Sequence, residues 1–125
     1  MIFNMIGGGN LDSIQMELLW ENASPASEFA EQVVDVNFDG FAYYMITYNL
    51  YYLSSTYDST GFVPVGKDAR MYLITDGSNT AAGNYRNFTF STKKFGPSVY
   101  LTSGSTTTVN CIPYRIYGVK GVPES

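Results

Sequence analysis

The chain has no histidine, a single cysteine and a single tryptophan. Without histidine there is no imidazole to activate a serine or cysteine nucleophile, and the commonest nitrogen ligand for a transition metal is missing. Cys111 has no second cysteine to pair with, so no intrachain disulfide framework exists. It lies in the apolar run Val109-Asn110-Cys111-Ile112-Pro113 and reads as a small buried apolar side chain. Charge is also sparse. Charged residues make up 14% of the chain, with 7 Lys and Arg against 11 Asp and Glu, a net charge of −4. There is no basic stripe of the kind that tracks a phosphate backbone, which argues against a nucleic-acid partner. No segment reaches the ~18 consecutive apolar residues of a membrane helix, so no membrane insertion is expected. The opening Met1-Ile2-Phe3-Asn4-Met5-Ile6 lacks the basic region and long apolar core of a signal peptide.

The chain is rich in aromatic residues, with 11 Tyr and 8 Phe among 125 residues. Together with many Thr, Ser, Asn and Gly this composition favours an all-β domain. The length fits one domain able to bury a core without a metal or disulfide. Gly7-Gly8-Gly9-Asn10 marks a flexible N-terminal joint over 1–10, ahead of a domain over 11–121 and a tail over 122–125. Within 11–20, Asp12-Ser13 can cap a short helix, yet Ile14, Met16, Leu18 and Trp20 alternate as in a strand. The run into the turn Asn22-Ala23-Ser24-Pro25 favours the strand. Val34, Val36 and Phe38 alternate with Asp35 and Asn37, which predicts a half-buried strand over 32–38, ended by Asp39-Gly40. A long aromatic strand over 43–53 follows. Tyr44, Ile46, Tyr48, Leu50 and Tyr52 form its core face, and Tyr43, Met45, Thr47, Asn49 and Tyr51 the other.

The polar stretch 54–65 reads as a surface loop, the usual place for binding. Further strands are predicted over 69–75, 85–91, 99–102 and 111–121. Asp76-Gly77-Ser78-Asn79 and Lys93-Lys94-Phe95-Gly96-Pro97 read as turns, and 104–108 as a Ser/Thr/Gly loop. Seven or eight short strands at this spacing predict an antiparallel β-sandwich of jelly-roll type.

Catalytic patterns are weak. Glu17, Glu21, Glu28, Glu31, Asp58 and Asp76 are the carboxylates available for a glycosidase pair, and no spacing singles out two of them. Asp76-Gly77-Ser78-Asn79 offers oxygen ligands without the spacing of a calcium loop. No enzyme activity, metal or cofactor is expected. Trp20 is either a sugar-stacking platform or an anchor of the core beside Leu18-Leu19. Tyr57, in the polar stretch, is the better placed tyrosine for a contact through its ring and hydroxyl. Arg86 and Arg115 lie within strands among apolar residues, where each could pair with a carboxylate on a neighbouring strand or across a subunit interface.

Two stretches carry a resemblance. Leu18-Leu19-Trp20-Glu21-Asn22-Ala23-Ser24-Pro25-Ala26-Ser27-Glu28-Phe29-Ala30-Glu31-Gln32 and Ile112-Pro113-Tyr114-Arg115-Ile116-Tyr117-Gly118-Val119-Lys120-Gly121 resemble the two ends of a small C-terminal β-domain of phage and prophage tail-associated or fibre-like proteins. Gly66-Lys67-Asp68-Ala69-Arg70 and Arg86-Asn87-Phe88-Thr89-Phe90 fit the middle of that pattern more loosely. The resemblance implies a virion structural module of a tail, baseplate or fibre that contributes to host-surface attachment by binding a glycan or a surface protein. It further implies other virion proteins as partners, a homo-trimer, and a place on the phage particle surface. The alternatives are a capsid decoration or adaptor protein and a bacterial carbohydrate-binding module. Trp20, Tyr57, Asp58, Asn79 and Ser105 are the expected ligand contacts.

Overall fold

The computed structural model describes residues 15–73 and 83–121. The expected joint over 1–10, the tail over 122–125 and the Asp76–Asn79 turn lie outside the described residues. Ten strands occur among the described residues: β1 (Met16–Glu21), β2 (Gln32–Val33), β3 (Tyr43–Tyr51), β4 (Tyr57–Ser59), β5 (Val63–Pro64), β6 (Ala69–Leu73), β7 (Asn84–Thr89), β8 (Lys94–Tyr100), β9 (Thr106–Thr107) and β10 (Asn110–Val119). All pairings are antiparallel. One sheet runs β1-β10-β3-β4, with β5 also on β3. The other runs β2-β8-β7-β6, with β9 also on β8. The chain is an all-β sandwich.

The turn residues act where their chemistry predicts. Ser24 accepts from the Ser27 amide at 3.1 Å, with Pro25 fixing the first central position of that turn. The Asn22 side chain holds its own corner, accepting from the Ser24 amide at 2.9 Å and donating to the Pro113 carbonyl at 2.8 Å. The Asn22 amide donates to the Tyr114 carbonyl at 2.7 Å. Asn22 thus serves the part of β10 that β1 does not reach. At the second turn the Phe41 amide donates to Phe38, and Gly40 supplies the positive φ of 88° that other residues adopt at a cost.

The core lies between the sheets. Tyr44, Ile46 and Tyr48 of β3 are buried, as their alternation predicts. Val34, Val36 and Phe38 are buried too, although only Gln32 and Val33 of that run join a ladder. Aromatic rings fill much of the space: Phe38 stands 4.9 Å from Tyr44, and Phe88 4.8 Å from Phe95, centroid to centroid. Contacts of this kind add about 0.5–1.5 kcal/mol each beyond burial. Tyr48 ties the sheets together, its hydroxyl donating to the Tyr72 carbonyl at 2.8 Å and accepting from the Tyr72 amide at 3.0 Å, while the Tyr44 hydroxyl donates to the Lys67 carbonyl, in the β5–β6 connection, at 2.6 Å.

Several expectations are corrected. The stretch 54–65 contains β4 and β5, short pairings along one edge of β3. Lys94-Phe95-Gly96-Pro97 opens β8 rather than forming a turn; the turn is one step earlier and closes at Lys93, whose φ is 57°. Gly96 and Pro97 are tolerated there because β2 pairs with β8 only at Lys94 and Phe95, and β9 only at Ser98 and Val99. The proline therefore sits in the gap between them, where its missing N–H breaks no ladder bond. Asn49, on the other face of β3 from Tyr48, is fully buried and donates to the Ser54 carbonyl at 2.7 Å.

Arg86 has no acidic partner among the described residues. It is fully buried on β7 and donates to three carbonyls: Cys111 at 2.7 Å, Gly96 at 2.7 Å and Asn110 at 3.0 Å. Two of these belong to β10 in the opposite sheet, so one guanidinium bridges the sandwich. Its acceptors are free because the β7–β8 register shifts beside Arg86 and Cys111 takes a φ of 50°. Burial pulls the Arg86 pKa down to about 10, leaving it protonated at neutral pH.

Candidate functional site

The outer face of the β1-β10-β3-β4 sheet carries a cleft of about 420 Å³, lined by Thr47, Tyr57, Asp58, Ser59, Tyr114, Arg115 and Tyr117. Register explains the grouping. Glu21, Arg115, Thr47 and Ser59 lie in one row across four strands, and Leu18, Tyr117 and Met45 in the next. A shift in the β10 register between Pro113 and Arg115 displaces Tyr114. Its ring stands 5.1 Å from that of Tyr57, with the planes at 51°. Bulges of this kind re-aim a side chain without ending the strand.

Arg115 is held on three sides. Its Nε donates to Glu21 Oε2 at 2.9 Å, its Nη1 to the Tyr117 hydroxyl at 3.3 Å, and its guanidinium lies 4.2 Å over the Tyr114 ring. The Tyr117 and Glu21 hydrogen bonds raise its pKa above the ordinary arginine value. Asp58 Oδ1 accepts from the Ser59 amide at 2.8 Å, and the second carboxylate oxygen has no protein donor among the described residues. Thr47 Oγ1, at the base of this face, is sealed from solvent and has no hydrogen-bond partner among the described residues. The cleft therefore presents two tilted aromatic rings, a fixed guanidinium and several hydroxyls. That set can hold a polyhydroxylated ligand by stacking and hydrogen bonding. Asp58 borders the cleft, but it pairs opposite core-facing Tyr48, so its side chain lies on the other face of β4 from Tyr57 and Ser59.

Of the expected contacts, the structure places the Tyr57 ring in this cleft, while Asp58 only borders it. Trp20 belongs elsewhere: it is half-buried against the core, 5.5 Å from Phe95 and 6.3 Å from Phe29, and acts as an anchor. Ser105 lies in the β8–β9 turn of the other sheet, where its carbonyl accepts from the Tyr100 amide at 2.9 Å. Asn79 lies outside the described residues. Tyr114, Tyr117, Thr47 and Ser59 were not foreseen as contacts. Of the two kinds of partner open to Arg115, a carboxylate on a neighbouring strand or one across a subunit interface, the structure shows the first, Glu21 of β1. The available signal for this set was Tyr114-Arg115-Ile116-Tyr117, whose polar and aromatic members flank one core residue, Ile116.

A second, smaller hollow of about 280 Å³ lies on the other sheet between Asp68, Ala69, Arg70, Asn87 and Thr89. Its polar groups already serve each other or the backbone. Arg70 Nε donates to Asn87 Oδ1 at 2.7 Å, and Asp68 accepts from the Phe90 amide at 2.8 Å. Among the described residues no three His, Cys, Asp or Glu side chains gather as metal ligands, and no helix is long and apolar enough to cross a membrane.

No family model, no curated protein and no solved structure matches this chain.

Proposed function

We propose that the chain is an attachment module of a phage tail, baseplate or fibre, and that it binds a glycan of the host surface in the cleft on its β1-β10-β3-β4 sheet. The observation that carries this reading is the junction of Tyr57 and Tyr114 with Arg115. Sugar recognition needs an apolar face for the C–H side of the ring and fixed polar groups for its hydroxyls, and these residues supply both. The resemblance of residues 18–32 and 112–121 to the phage β-domain supports the virion setting. The host surface, other virion proteins and two further copies of the chain are the partners in this reading. The exposed Leu18 and the Tyr43–Phe62 pair, 6.4 Å apart, supply apolar area for neighbouring copies.

The test is a glycan array probed with the purified chain, its Tyr57→Ala and Tyr114→Ala variants, and Ser105→Ala as a control. Binding that both tyrosine changes abolish and Ser105→Ala spares is the expected result. Binding that ignores the tyrosines overturns the assignment of the cleft. Light scattering on the same sample reads the assembly: a trimer is expected, and a monomer at high concentration contradicts it.

A further inference from the structure

We infer that the cleft recognises the carboxylate of an acidic sugar, a uronic or sialic acid, on the donor edge that Arg115 and Tyr117 present. The inference rests on the glycan-binding reading above and narrows its ligand. The argument is one of hydrogen-bond direction. An arginine side chain only donates, whereas a tyrosine hydroxyl donates one proton and also accepts. Arg115 Nε gives its proton to Glu21 Oε2 at 2.9 Å, and Nη1 gives one to the Tyr117 hydroxyl at 3.3 Å. The Tyr117 oxygen is thereby engaged as an acceptor, and its own proton is what it has left to offer. That proton, the second proton of Nη1 and both protons of Nη2 have no acceptor among the described residues. Arg115 and Tyr117 line the cleft, and Glu21 does not. The counter-charge of the arginine therefore stands outside the cleft, while unused donors remain within reach of it.

Little in the lining answers those donors. Thr47 Oγ1 is sealed from solvent. Asp58 makes no ion pair with Arg115 and lies on the other face of β4 from Tyr57 and Ser59. A carboxylate is the group that fits. It only accepts, and its two oxygens match the fork of a guanidinium. A sugar hydroxyl takes one of these protons but brings a proton of its own that then needs an acceptor. The guanidinium is also held in advance, tethered at Nε by Glu21 and lying 4.2 Å over the Tyr114 ring, so little freedom is lost when a ligand arrives. The Tyr57 ring, 5.1 Å from that of Tyr114, completes an apolar platform for the sugar that carries the carboxylate. Glu21 acts here as a positioning residue, since it orients the arginine without lining the cleft.

The experiment uses the full chain on an array that pairs glucuronyl with glucosyl, galacturonyl with galactosyl and sialylated with desialylated probes, and adds the methyl ester of each acid. The expected result is at least one carboxylated probe bound about tenfold more tightly than both its neutral partner and its ester, the worth of one charge-assisted hydrogen bond. Arg115→Lys keeps the charge and loses the fork, and Tyr117→Phe keeps the ring and loses the hydroxyl donor. Each should cut that preference at least about threefold while leaving the neutral probe unchanged. Glu21→Gln keeps an acceptor for Nε and removes the counter-charge. It should tighten the carboxylated probe and leave the neutral one unchanged, whereas a purely structural role for Glu21 would weaken both. Glu31→Gln, whose partner Lys94 lies on the other sheet, should change neither. Equal or tighter binding of the neutral partner or the ester by the unaltered chain overturns this inference and leaves the glycan-binding reading standing. So does a preference that survives both Arg115→Lys and Tyr117→Phe. Failure of every probe to bind overturns both. Thermal melts of each variant separate lost binding from lost folding.

Discussion

Replacing Arg86 with Met tests the feature that joins the two sheets most directly. The substitution keeps the length of the side chain and removes its donors. It leaves the carbonyls of Cys111, Gly96 and Asn110 buried without partners. An abandoned buried acceptor costs about 1–3 kcal/mol, so three at mid-range cost about 6 kcal/mol. One effect opposes this. Burial holds the Arg86 pKa at about 10 against an ordinary 12.5, which corresponds to about 3 kcal/mol of desolvation that the apolar side chain no longer incurs. The net expectation is a loss of about 3 kcal/mol. Urea unfolding followed by Trp20 fluorescence is the assay, since Trp20 packs against Phe95 and reports on the sandwich. With a slope of about 2 kcal/mol per molar urea, the midpoint should fall by about 1.5 M. Arg86→Lys should also destabilise, because one ammonium cannot span carbonyls on two sheets. A midpoint for Arg86→Met within about 0.3 M of the unaltered chain, at unchanged slope, would refute the reasoning.

Gly118→Ala should cost about 1–3 kcal/mol by overpacking, because a Cβ there stands 2.6 Å from Phe41 Cδ1 and 2.9 Å from Leu19 Cδ1. Phe41→Leu should recover part of that loss in the same urea assay, and no effect of Gly118→Ala alone would contradict the packing. Stability should also fall in alkali. Burial raises the Cys111 thiol from 9.0 to about 12, raises Tyr48 from 10.0 to about 12 and raises Tyr44 further still. The unfolded chain ionises first, so the stabilisation these groups provide is complete below about pH 9 and is lost as pH climbs toward about 12. Arg86 has the opposite sign, since its folded pKa is lowered, and it offsets part of the loss from about pH 10 upward. The urea midpoint should be unchanged from pH 7 to 8.5 and lower at pH 10.5; a flat profile to pH 10.5 would contradict the balance.

The architecture was legible where side-chain alternation or turn chemistry acts locally. Val34, Val36 and Phe38 are buried because their spacing matches the pleat, even where no ladder forms. Pro25 and Asp39-Gly40 turn the chain for reasons internal to a few residues. What escaped depends on distant partners. β4 and β5 are three- and two-residue pairings on the edge of β3, too short to carry a period. The Gly96-Pro97 pair signals a break, and becomes part of β8 only because β2 and β9 leave a gap opposite it. The partners of Arg86 are backbone carbonyls freed by irregularities in two strands, which side-chain identity does not reveal. Half of the candidate site was hidden in the same way. Tyr57 stood out as a polar-stretch residue, whereas Tyr114 reaches it through a register shift in β10.

The central claim is that the outer face of the β1-β10-β3-β4 sheet binds a saccharide. Amide-resolved chemical-shift mapping with an oligosaccharide chosen from the array tests it most directly. The account predicts perturbations concentrated at Thr47, Tyr57, Asp58, Ser59 and Tyr114 to Tyr117, all of which collapse in Tyr114→Ala. Perturbations centred instead on Arg70 and Asn87, or on the Ser105 turn, would contradict it.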